Sequence, residues 1–408
     1  MEQGLLWKSV DSLYSWVKKE KYRGWDPYDG LSGNISQRFA HKKLLNIALI
    51  QVNLYSPLNL RPLFGIRSGR SNKALALFSR AYLYLYSMTG LEEFKIEAKG
   101  LLKQLENQNL SKNKDKFSCA SYYFPYIAPK HYLSASLPDI ICVTETIKSA
   151  ITAYEVLGKK HYLNFAIKGL NFLIGDLLEE SNGIAYFKYT PEEQGKVVFN
   201  VSALALESTA RLLKYTLNDE LIEIGENIMK LLLEHQREDG AWPYSRYFGS
   251  NLYYWQIDYH QGFILDGLIE FLPYLEDDSL KRDCVKAILK GAEFYMRKQF
   301  TPEGVSYYRY PVKYPIDIHN QAQGIITFLK LYRVFYESKY LNFAERIAEW
   351  TIRNMQDPSG YFYAHRWPGF VNKIPYMRWA QAWMMLALAT LVNSKIGDND
   401  ESFNDRSN

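Results

Sequence analysis

Cysteine is scarce in this chain: Cys119, Cys142 and Cys284 are the only three in 408 residues. Three scattered thiols supply neither a disulfide framework nor a cysteine zinc site. Long apolar runs are missing as well. No stretch reaches the roughly 18 consecutive apolar residues that a membrane span needs. The opening segment, MEQGLLWKSVDSLYSWVKKEK, reads as an amphipathic helix rather than a secretory leader. Charge of one sign is also lacking, since 49 basic and 44 acidic residues leave a net +5, too small and too mixed for a nucleic-acid footprint. These absences predict a cytoplasmic globular protein with no transmembrane segment and no nucleic-acid partner. No cofactor and no metal are expected. What the chain has in quantity is aromatic residues: 33 Tyr, 21 Phe and 9 Trp, 15% of the total. Tyr and Trp offer a flat apolar face with a polar tip. That suits a hydroxyl-rich ligand, and it equally suits wide gaps between helices.

Between Glu234 and Phe271 the chain shows a pattern that recurs. A helix ends at Gln236, Asp239-Gly240 turns the chain, and an aromatic loop holds Trp242, Tyr244, Tyr253, Tyr254 and Trp255. Asp258, His260 and Gln261 then open a second, more apolar helix. The order returns at Gln299, Gly304, Asp317, His319 and Gln323, and again at Gln356, Gly360, Arg378 and Gln381. The glutamines 261, 323 and 381 recur about every 60 residues, a period of two helices and a loop. Second helices such as GFILDGLIEFL (262–272) and AWMMLALATLV (382–392) are apolar, while first helices carry more Lys and Glu. Two concentric rings follow, with the apolar helices inside. The expected fold is all-α: an (α/α)6 toroid of helical hairpins with an extra N-terminal helix, one domain over residues 1–393 and a flexible tail over 394–408.

In such a ring the inner helices share one polarity, so their N-terminal ends meet at one mouth. These ends fall near Asn72, Asp139, Asn200, Asp258, Asp317 and Arg378. Orphan N–H groups and partial positive charge collect there, although Asp and Asn are also ordinary capping residues. His260 and His319 follow Asp258 and Asp317 at equivalent places, which sets a polar cluster at the mouth. Paired carboxylates, Asp258 with Asp317, Asp139 or Asp29, fit acid and base work on a glycosidic bond. A His–Tyr–Arg set, His260 or His319 with Tyr254 or Tyr376 and Arg378, fits abstraction of the proton α to a uronate carboxylate. A metal fits less well, because Asp-x-His places its two ligands on different helix faces. The loop GWDPYDGLSG adds Asp26, Tyr28 and Asp29, either as ligand contacts or as turn residues. Arg67 and Arg70, on a loop with Arg61, fit an anionic sugar or a phosphate, and equally a charged surface. Trp242, Trp255 and Trp367 are candidates to stack on sugar rings, and Asp139 and Asn200 to contact substrate.

The segments GENIMKLLLEHQREDGAW (225–242) and GAEFYMRKQFTPEG (291–304) resemble the Gln-Trp repeat of terpenoid-cyclase toroids, in which the repeat ties helix ends together. That family's Asp-x-Asp-Asp box is missing. RWAQAWMMLALA (378–389) resembles an inner helix of six-hairpin glycosidases. A broader resemblance runs from residue 24 to 324, through GWDPYDGLSG, NLRPLFGIRSGRSNKALALF, LPDIICVTETIKSAITAYE, HQREDGAWPYS and DIHNQAQGI. It is to α/α toroids encoded with bacterial capsule and exopolysaccharide biosynthesis genes. Some of these are labelled delta-aminolevulinic acid dehydratase, an α/β-barrel enzyme that a helical chain does not match. The resemblance implies a toroid in a surface-polysaccharide pathway, with a carbohydrate ligand and other proteins of that pathway as partners. The expected activity is glycosidic cleavage or uronate lyase or epimerase chemistry. The alternatives are a non-catalytic glycan-binding or scaffold toroid, or action on a lipid-linked intermediate.

Overall fold

The computed structural model describes residues 1–34, 42–56, 58–128, 131–181, 184–216 and 218–404. Its inner helices are α3 (Asn72–Thr89), α5 (Ile140–Leu157), α7 (Phe199–Leu213), α9 (His260–Phe271), α11 (Ile318–Phe335) and α13 (Trp383–Asn404). Each packs on the next, and α13 returns to α3, so the ring is closed. The outer helices are α4 (Glu92–Glu106), α6 (Lys160–Phe172), α8 (Asp219–Glu234), α10 (Asp278–Lys298), α12 (Ser338–Met355) and α1 (Gln3–Lys19). The helix α1 packs on α12 and α13 and so takes the sixth outer place. The helix left over in the N-terminal part of the chain is α2 (Lys43–Tyr55), which lies against the turn Asp29–Leu31 and the strand Tyr126–Ala128. A helix beginning at Arg38 is expected from sequence, but residues 35–41 lie outside those described. So do residues 405–408 of the expected tail, and α13 itself extends past Ser394.

Local chemistry sets the helix ends. The Asp139 carboxylate accepts the Cys142 N–H and starts α5, and Gly158, at φ 67°, stops it. Asn218 and Asp277 cap α8 and α10 in the same way. The recurring glutamine and glycine of the repeat do a different job. Gln236 Nε2 donates to Gly240 O and to Ala287 O of α10. Gln356 Nε2 donates to Gly360 O and to Ser9 O of α1. A Cβ on Gly240 (φ 101°) would stand 2.4 Å from Lys290 O, and one on Gly360 (φ 111°) 2.2 Å from Ser12 O. The loop after α8 is thereby pinned to α10, and the loop after α12 to α1, whereas the equivalent Gln299 Nε2 is buried without a partner among the described residues.

A second set of glutamines clamps the loops. Gln261 Oε1 accepts Trp242 N–H while its Nε2 donates to Trp242 O. Gln381 treats Phe362 identically. In the middle repeat this role belongs to Gln321, which accepts Ser306 N–H and donates to Gly304 O, and not to Gln323, the residue that sequence spacing suggests. Gln323 donates instead to Asp266, inside the ring.

The inner ring is also less apolar than its sequence implies. About one to three turns below the helix N-termini, charged side chains from α3, α5, α7, α9 and α11 meet on the axis. Arg80 pairs with Glu145 at 2.9 Å, Lys148 with Glu145 at 2.8 Å and with Glu207 at 2.6 Å, and Lys330 with Glu207 at 2.5 Å. Lys330 further approaches Asp266 and Glu270, and Arg333 pairs with Glu270 at 2.7 Å. Alternating charge holds the Glu207 carboxyl far below the usual range.

Two stability predictions arise from these contacts. Gly360→Ala, which puts a methyl group into the α1 backbone at positive φ, should cost about 2–3 kcal/mol, read from the midpoint of urea unfolding. Glu207→Leu leaves two buried ammonium groups short of a partner and should cost about 3–5 kcal/mol by the same measurement.

Candidate functional site at the mouth of the ring

The first turns of α3, α9, α11 and α13 bring Lys73, Tyr259, His260, His319, Trp379 and Trp383 together. The imidazole of His319 lies among rings. Tyr259 stacks on it at 4.0 Å, Trp383 lies at 4.6 Å, and Trp379 meets it edge-on at 4.9 Å. The residue is 1% exposed, yet neither ring nitrogen has a hydrogen-bond partner. Burial, with Lys73, His260 and Arg378 as nearby positive charges, holds its pKa well below 6.5. It is therefore a neutral imidazole with a free lone pair at neutral pH.

The second imidazole differs. His260 Nδ1 makes a short hydrogen bond to Asp258, which also accepts the His260 N–H. Asp258 in turn accepts from Gln256 Nε2 at 2.8 Å and lies 3.8 Å from Arg309. A carboxylate that accepts from Nδ1 fixes the tautomer and leaves the lone pair on Nε2. Tyr259 touches both imidazoles, at 4.2 Å from His260.

Asp317 takes both of its hydrogen bonds on Oδ1, with His365 near Oδ2. It accepts His319 N–H and Trp379 Nε1–H, each at 2.9 Å, and lies 3.4 Å from His365 Nε2. The short strand pairing that sets Asp317 opposite His365 brings the last loop over the mouth. Arg378 opens the last inner helix on a widened i→i+5 turn, Met377–Ala382. Its guanidinium grips both oxygens of Asp26, at 2.5 and 2.8 Å, and lies 4.9 Å over Tyr122. Tyr28, beside Asp26, packs edge-on to Trp379.

Other candidates from the sequence fall elsewhere. Asp29 is fully buried and bound to Arg61 at 2.7 Å. Burial raises its carboxyl to about 7 against the pull of Arg61. Asp139 is saturated by Cys142 N–H and by the Ser121 backbone and hydroxyl. Trp242 has no exposed surface, and its indole N–H is spent on Leu232 O, so it cannot stack on a sugar. Trp255 and Tyr254 are exposed on the rim, the former beneath Arg237. Trp367 stacks on Phe370. Arg67 and Arg70 are exposed, and Arg70 is tied to Lys21 O and Gln104. Asn200 is buried in the first turn of α7 with Oδ1 unpartnered.

Lys73, Tyr259, Trp379 and Trp383 are additions that sequence reasoning passes over. Two signals for them exist. Lys73 interrupts the apolar run of an inner helix at its first turn, and RWAQAW spaces two indoles four residues apart on one face. Among the described residues, no group of three or more His, Cys, Asp or Glu side chains is arranged to hold a metal ion, and no helix is long and apolar enough to cross a membrane.

Closed hairpins in this order make the protein an α/α toroid of the six-hairpin type. No protein-family model and no curated sequence matches the chain. Solved structures do. The cellobiose 2-epimerase of Bacillus thermoamylovorans superposes with a TM-score of 0.63 at 15% identity, over 81% of this chain and 90% of that one. The GH76 α-mannanase of Bacteroides thetaiotaomicron gives 0.62 at 13%, over 81% and 88%. An unsaturated glucuronyl hydrolase specific for heparin gives 0.58 at 15%, over 83% and 90%. At such identities the likeness establishes the fold.

The depressed pKa of His319 makes a prediction about stability. Below pH 6.5 the unfolded chain protonates this imidazole and the folded protein does not. Stability is therefore retained above that pH and lost as pH falls, by up to about 1.4 kcal/mol per pH unit. Urea unfolding at pH 7.5 and 5.5 should show a smaller loss in His319→Gln than in the unsubstituted protein.

Proposed function

We propose that this protein is a carbohydrate-active enzyme that moves a proton on carbon, as an epimerase or lyase does, on a sugar of a bacterial surface-polysaccharide pathway. The observation that carries this reading is the pair of unlike imidazoles at the mouth. His319 is neutral, buried and unpartnered, and His260 is backed by Asp258. One can take the proton α to a carbonyl or carboxylate, with the C–H electron pair moving into the enolate. The other can return a proton to the opposite face, or protonate a leaving group at the β carbon. Two-carboxylate hydrolysis is less well served, because Asp258 is committed to His260 and Gln256, and Asp317 Oδ1 holds the His319 N–H and the Trp379 indole. The likeness of the fold to structures described as a cellobiose 2-epimerase and a D-mannose isomerase is in keeping with this choice. The pathway rests on the sequence resemblance alone. A non-catalytic glycan binder is the second reading, favoured by the exposed rim rings of Tyr247, Tyr254 and Trp255.

Incubation with candidate sugars in D2O, followed by proton NMR, tests the reading. The substrate should lose its α C–H signal, and His319→Asn and His260→Asn should each slow this by at least about 100-fold. Release of new reducing ends without deuterium uptake would show hydrolysis instead.

A further inference from the structure

Lys73 stands in the first turn of α3 and is 5% exposed. Its ammonium lies 5.0 Å above the Trp383 ring, whose plane also meets His319 at 4.6 Å. Lysine and histidine therefore both contact this indole, and the lysine charge reaches the imidazole. No hydrogen bond or ion pair reaches Lys73 among the described residues. The carboxylates that its charge feels, Glu145 and Asp139, are already committed. Glu145 is held by Arg80 and Lys148, and Asp139 by Ser121 and Cys142 N–H. Nearby, Arg378 is neutralised by Asp26. Among the described residues, this buried cation at the mouth is thus left without a counter-ion, near a buried imidazole whose nitrogens are both unbonded.

We infer that Lys73 is the anchor for a carboxylate of the substrate, so that the sugar is a uronic acid or an oligosaccharide of one. The inference rests on the proton-transfer reading and supplies what that reading needs. Removing the proton α to a carboxylate puts further negative charge on the two carboxylate oxygens, and a fixed cation beside the base stabilises it. The C–H electron pair becomes the C=C of the enediolate, the proton goes to imidazole, and the added charge sits against the ammonium. The apolar wall of Trp383 strengthens that contact by excluding water. A neutral sugar would leave the ammonium buried and unpaired. The same burial lowers the Lys73 pKa to about 8, which a bound carboxylate would raise again.

Titration calorimetry with glucuronate, galacturonate, glucose and glucose 6-phosphate tests this. Uronates should bind at least tenfold tighter than glucose. Lys73→Met should lose that margin, and Lys73→Arg should keep most of it. In the unsubstituted protein, uronate binding between pH 8 and 9.5 should take up as much as one proton, seen as a dependence of the heat on buffer ionisation. This readout needs no variant to fold. Equal affinity for glucose and glucuronate, unchanged uronate affinity in Lys73→Met, or binding without proton uptake would each overturn the anchor. A preference for glucose 6-phosphate would overturn the carboxylate. Deuterium uptake into neutral sugars that is indifferent to Lys73 would sink this inference and leave the proposed function standing. Tight uronate binding without deuterium uptake into any sugar would do the reverse.

Discussion

Closure of the inner ring is the constraint on which everything else depends. Inner helices of one polarity, each packed on the next and α13 packed on α3, force all their N-terminal ends to one side. A ring open at one seam would scatter those ends and expose an apolar flank. The closure is enforced from outside, where α1 takes the sixth place and Gly360 lets the chain touch its backbone. Residues from both ends of the sequence thus meet, and the grip of Arg378 on Asp26 repeats that joining at the mouth.

A ring of six helices leaves an axis to fill. Large apolar side chains fill it near the mouth, with Trp383 fully enclosed, and an alternating ladder of ions fills it below. Buried ion pairs add little net stability compared with apolar packing, but removing one member exposes the others to a severe penalty. The ladder therefore acts chiefly as a device for register: each of five helices must present its charge opposite that of its neighbours for the pattern to close.

The sequence states the architecture clearly because the repeat is written in residues that do one thing. Gln236, Gly240 and Gln261 clamp and turn, and Gln356, Gly360 and Gln381 do so again. The middle glutamine is misread because Gln321 and Gln323 both lie near the expected spacing, and only contact with the Ser306 and Gly304 backbone separates them. The ion ladder is hidden because its members lie singly on different helices, where each looks like a solvated charge. Within the site, Asp258, His260, Asp317, His319 and Arg378 are legible as helix-opening polar residues. What they do to one another is not. Nothing in the spacing says that Asp317 serves Trp379 while Asp258 serves His260, or that Trp242 turns inward.

The ladder and the mouth lie in the same low-dielectric ring, and their contrast is informative. Every charge of the ladder faces an opposite charge. At the mouth, among the described residues, Lys73 has no hydrogen bond or ion pair, both nitrogens of His319 are unbonded, and Asn200 Oδ1 is orphaned. Folding gains nothing from leaving such groups bare, and each one buried this way costs about 1–3 kcal/mol. A chain able to match five helices of charge along the axis has the means to match three more groups. Their incompleteness makes sense if the missing partner is a molecule that comes and goes. It must offer an anion to the lysine and a polarisable C–H to the imidazole. Both groups contact the Trp383 indole, which is in keeping with a ligand whose anion lies close to its acidic carbon.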